Sequence, residues 1–124
     1  MWMARTVAVL YLISGIWCIV NPVLSASYLG LTLSSAKGLS EYFTVYGGLQ
    51  IGLGCALIIG IHKVELRLAS LGFMMVVSAV LLGARLISFL LYSSALWPLA
   101  IVEGVIVLML LFEWKMCKKK LTES

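Results

Sequence analysis

The sequence predicts an all-α integral membrane protein built as a four-helix bundle, and three observations carry that prediction. Of its 124 residues, 63% are hydrophobic and only 11% charged, and the mean hydropathy is +1.13. A bilayer-crossing helix takes about 20 mostly apolar residues, so the chain has room for four such segments and little else. The charges are also sorted. Arg5 lies near the start, His62, Lys63 and Arg67 share one connection, and Lys115, Lys118, Lys119 and Lys120 crowd the end. Cytoplasmic segments are enriched in Lys and Arg, so both termini and the second connection are expected on the cytoplasmic side. Residues 1–124 then form one multi-pass transmembrane domain.

The first span is expected over 3–20, ending at Asn21-Pro22, where proline cannot continue a hydrogen-bonded helix. The first thirty residues also fit a secretory signal, with "VLSAS" near a cleavage-like point; a retained first span is expected instead. An outer loop over 22–40 follows, rich in Ser and Gly. Ser40 is a suitable N-cap for a second span over 41–61. The third span is expected over 66–92, and the fourth over 98–114, with Pro98 in its first turn. Tyr42, Tyr92 and Trp97 would form an outer aromatic belt and Trp2 and Trp114 an inner one.

Helices in lipid associate through small residues that admit close backbone approach. In "EYFTVYGGLQIGLGCALIIG", Gly48-x-x-x-Gly52 is such a pattern, with Gly47 beside it, and these glycines are expected to pack the second helix against its neighbours. Ser78, Arg85, Ser88 and Tyr92 on the third helix, and Tyr11, Ser14, Cys18 and Asn21 on the first, form polar stripes at helical spacing that are expected to face the interior.

Glu41, Arg85 and Glu103 are the ionisable groups within or at the rim of these spans, and each costs about 2.5–3.5 kcal/mol at a helix centre. With a hairpin turn centred near Ser94, Arg85 and Glu103 lie about nine residues to either side and reach similar depths at 1.5 Å per residue. They can pair. Two readings stay open: a buried ion pair that sets helix register, or a polar pocket in which Arg85 anchors an anion or headgroup, Glu103 orients it, and Tyr46 and Gln50 supply hydrogen-bonding walls. Glu41 suits the positive end of a helix dipole just after Ser40. His62 reads as a solvated residue of the basic connection. Cys18 and Cys55 read as small buried residues, Cys117 as a weak lipidation signal, and the lysine run as attracted to anionic lipid. No cysteine pair, metal set or cofactor site is indicated.

"EYFTVYGGLQIGLG", "LLGARLISFLL" and "LAIVEGVIVL" together resemble a bacterial four-helix membrane family known as domain of unknown function 4345, a relative of the DoxX-like proteins. The resemblance implies that fold, a membrane location, and a polar cluster of Glu41, Tyr46, Gln50, Arg85 and Glu103 beside Gly47, Gly48 and Gly52. It implies no activity. The expected function is therefore non-enzymatic: an accessory subunit or a lipid- or small-ligand-binding bundle, with membrane lipids and other membrane subunits or further copies as partners and no nucleic acid. The alternative is an oligomeric small-solute transporter or channel using Arg85 and Glu103. An enzyme acting on a lipid or quinone ranks last, because the intramembrane acid and base groups are few.

Overall fold

In a computed structural model, which describes residues 1–123, the chain is helical, with no strand among the described residues. Five helices follow in order: α1 (Trp2–Val20), α2 (Pro22–Tyr28), α3 (Ala36–His62), α4 (Val64–Leu91) and α5 (Trp97–Glu123). Three of them, α1, α3 and α4, are long and apolar enough to cross a membrane. Only 11% of the most apolar stretch of α4 is buried within the chain. Its remaining surface is a hydrocarbon face that water would solvate poorly.

The connection expected over 22–40 is more ordered than its composition suggests. Asn21-Pro22 does stop α1, but it also starts α2: the Asn21 side-chain oxygen accepts the Leu24 N–H at 3.4 Å and Pro22 occupies the first turn, where its missing N–H costs nothing. Gly30 then ends α2 with φ +79. The Leu31 N–H reaches the Ala26 carbonyl at 2.8 Å and the Gly30 N–H reaches Ser27 at 3.0 Å. This paired closure of a helix end requires the left-handed backbone that glycine adopts freely.

The second long helix begins five residues earlier than its sequence suggests. Ser35, not Ser40, is the N-cap; its hydroxyl accepts the Gly38 N–H at 3.1 Å. Glu41 consequently lies inside the helix rather than in its first turn, and the expected dipole role does not apply to it. From Tyr42 to Leu49 the helix widens into π geometry before returning to α-helix at Gln50. Such segments are rare and free backbone groups from their usual partners.

At the other end α5 runs on from the expected limit near Trp114 to Glu123. Buried Ile106, Leu110, Glu113 and Cys117 recur at alternating steps of four and three, so one apolar stripe continues past Trp114. The Lys118 ammonium sits 5.0 Å from the Trp114 ring centre, and lysines in a last turn favour the helix dipole.

The chain divides into two compact units, Ala8–Ala56 and Met1–Val7 with Leu57–Ser124. In the first, Cys18, Ala26 and Tyr42 form a buried cluster against which Leu29 and Leu33 pack. In the second, Ala4, Val7, Leu57, Leu71, Met74 and Leu110 are almost wholly buried.

Candidate functional site

Within the second unit, α4 and α5 are antiparallel, with Gly72 against Trp114 at one end of the pair and Arg85 against Glu103 at the other. The two residues placed at equal depth by counting from the turn do meet. The Arg85 Nε–H donates to both carboxylate oxygens of Glu103, each at 2.8 Å. Neither side chain is sealed off, at 22% and 14% exposure. The Ser88 hydroxyl donates to the Arg85 carbonyl at 2.6 Å, which ties the helix turn beneath the pair. A guanidinium carries five N–H donors. Nε supplies the side-chain hydrogen bonds of Arg85, and the four N–H groups on its two terminal nitrogens have no hydrogen-bond partner among the described residues.

The same unit contains an acid that sequence reasoning passed over. Glu113 is only 6% exposed. One of its oxygens accepts the Met3 N–H at 3.1 Å and lies 3.7 Å from the Met1 amino group. It therefore serves the open N-terminus of α1, where unpaired N–H groups and positive potential favour a carboxylate. Its neighbours Trp114 and Lys115 suggested an interfacial position; the burial signal was its place four and seven residues along a stripe from Cys117 and Ile106. Arg67 plays the opposite part, donating from Nε to the Ile61 carbonyl at 2.7 Å at the end of α3. His62 is exposed, with Nδ1 against the Ile58 carbonyl at 2.7 Å.

In the first unit, Tyr42 does not join an aromatic belt. It is 2% exposed, and its hydroxyl donates to the Ser25 hydroxyl at 2.8 Å, with the Cys18 sulfur at 3.4 Å. Tyr46 stacks on it, ring centres 4.7 Å apart and planes 16° from parallel. The Gln50 amide donates back to the Tyr46 carbonyl at 2.7 Å, supplying a partner to the widened backbone. Glu41 makes no ion pair among the described residues. It lines a cavity of about 320 Å³ together with Leu31, Thr32, Leu33, Gly38, Tyr42, Val45 and Tyr46.

The glycines also sort differently from the expected pattern. A Cβ on Gly52 would meet nothing within 4 Å, and one on Gly48 only its own helix, at 3.9 Å; both face outward, as does Cys55. Within Ala8–Ala56 the packing glycines of α3 are Gly47, against Ile19, and Gly54, where a Cβ would stand 2.8 Å from Leu12 and 2.9 Å from the Ala8 carbonyl; in the other unit Gly60 packs against Ser70. Gly15 answers from α1, 2.8 Å from the Gly47 carbonyl on the same measure. Of the three glycines expected to pack, Gly47 does and Gly48 and Gly52 do not. Of the other interior expectations, Ser78 and Cys18 are buried whereas Tyr92 is 87% exposed, and Cys117 is buried rather than offered for lipidation.

No family model, curated protein or solved structure matches the chain. Nothing in these comparisons identifies domain of unknown function 4345 or a DoxX-like relative.

Proposed function

We propose that the chain is a small non-enzymatic integral membrane protein of the bacterial inner membrane, an accessory or lipid-binding bundle that holds an anionic group at Arg85. In this reading α5 is a fourth crossing, with both termini cytoplasmic. Support for the crossing comes from the stretch 98–112, whose only charge is Glu103, already neutralised by Arg85. Support for the topology comes from the lysine-rich end and the basic α3–α4 connection.

The observation that carries the binding role is the geometry of the ion pair. Register alone would be served by a guanidinium closing on the carboxylate through two nitrogens. Here only Nε is used, which leaves the planar fork of terminal donors for a phosphate or carboxylate from outside. Glu103 fixes the guanidinium plane, and the terminal N–H donors hold the external anion through hydrogen bonds.

The test is lipid retention. Protein extracted from membranes containing phosphatidylglycerol and phosphatidylethanolamine is examined by native mass spectrometry, beside the double variant Arg85→Leu with Glu103→Leu. The parent should carry bound phosphatidylglycerol and the folded double variant should lose it. Equal retention by both would remove the anion-binding role and leave the pair as a register lock.

A further inference from the structure

The geometry points to a second binding site in the other compact unit, for an ammonium or quaternary ammonium group, at the cavity formed by Glu41, Tyr42 and Tyr46. It uses none of the residues of the Arg85 site and selects the opposite charge, so it goes beyond the reading above.

Three features of one cavity agree on this chemistry. Glu41 supplies a carboxylate with no ion pair within the chain among the described residues, and an uncompensated acid beside apolar walls attracts a cation that needs only partial dehydration. The stacked tyrosines supply the second feature. Tyr42 is locked from behind by Ser25 and covered by Tyr46, while Tyr46, at 39% exposure, lines the cavity as its accessible ring. Electron-rich ring faces attract organic cations, and quaternary ammonium recognition is the best-known use of that attraction. The third feature is size and lining. A volume of about 320 Å³ walled by Leu31, Leu33 and Val45 falls at the lower end of small-ligand sites, suited to a methylated or alkyl-bearing ammonium rather than a hydrated metal ion.

The backbone explains why the walls hold still. Ser35 caps the helix before Glu41, the Tyr42 hydroxyl anchors the ring row, and Gln50 closes onto the Tyr46 carbonyl. The carboxylate stands at the end of the regular helix and the rings on the widened segment that follows it, and the site is formed before a ligand arrives.

The ligand's ammonium can come from a lipid headgroup or from a free amine, and one experiment separates these sources. Protein labelled with ring-13C tyrosine in maltoside micelles is titrated with tetramethylammonium chloride, with sodium chloride and sodium phosphate at matched ionic strength as controls. The Tyr46 resonance should shift and saturate with tetramethylammonium alone. Glu41→Gln should weaken that binding at least fivefold, while an unchanged buried Tyr42 resonance in Glu41→Gln certifies the fold. In nanodiscs, a Tyr46 resonance already displaced in phosphatidylcholine or phosphatidylethanolamine, but not in phosphatidylglycerol, identifies a headgroup. Displacement only on adding the free cation, in every lipid, identifies a solute. A non-saturating shift shared with sodium chloride, or unchanged affinity in Glu41→Gln, overturns the proposal. Neither result bears on lipid retention at Arg85, so the two sites fail independently.

Discussion

The two compact units solve the same problem with a different balance of means. Residues 8–56 bring helices together chiefly by removing side chains: Gly15, Gly47 and Gly54 let backbones approach to near-contact, and a neutral hydroxyl relay runs from Tyr42 to Ser25. The other unit has a glycine contact of its own, Gly60 on Ser70, and adds charge to it, with Arg85 on Glu103 and Glu113 on the start of α1. Steric fit tolerates no added atom and yet carries no cost of desolvation. An ion pair tolerates shape change but punishes the loss of either partner. Substitutions should therefore separate the units by what each cannot bear.

The largest effect is expected in the charged unit. Arg85→Leu strands the Glu103 carboxylate and should lower stability by about 3 kcal/mol, the low end for a broken buried pair because both groups keep some exposure. Adding Glu103→Leu should recover all but about 1 kcal/mol, read by denaturant titration in mixed micelles. If the single and double variants are equally unstable, leucine packing rather than charge is responsible and the contrast between the units collapses.

Next is the glycine unit. Gly54→Leu must displace Leu12 or the α1 backbone at Ala8 and should cost about 2–3 kcal/mol, as overpacking does. Gly52→Leu, whose Cβ would meet nothing within 4 Å, should alter folding by less than about 0.5 kcal/mol. Similar losses at both positions would mean that α3 does not present the face described.

These two sites show what the sequence made legible. Arg85 and Glu103 could be paired by counting because helix rise is constant and both lie in undistorted helices close to one turn. The same counting failed on α3. Its glycines occupy several faces, so periodicity alone does not say which face packs, and the widened turns from Tyr42 to Leu49 shift the phase of everything that follows. Tyr42 was misread for a related reason: its partner Ser25 is brought by α2, and α2 exists because Asn21 and Gly30 cap it within a stretch whose composition reads as a loop. Glu113 was hidden by neighbours typical of a membrane rim, whereas its role depends on where α1 begins. Local rules were readable where elements were regular; contacts set by caps and by the π segment required the fold.

The smallest expected effect tests the neutral link. Tyr42→Phe removes the hydroxyl that joins α3 to α2 while keeping the ring that Tyr46 stacks upon, and it leaves the Ser25 hydroxyl to its remaining bond with the Pro22 carbonyl at 3.2 Å. Hydrogen bonds between helices in a membrane average about 0.6 kcal/mol in double-mutant cycles, so a loss of about 0.5–1 kcal/mol is expected, measured in the same mixed micelles. Pairing it with Ser25→Ala sharpens the comparison: if the hydroxyls act only on each other, the double variant should be no worse than the poorer single one. A loss near that of Arg85→Leu would instead make the relay as demanding as an ion pair, and the division between a sterically held unit and a charge-held one would not stand.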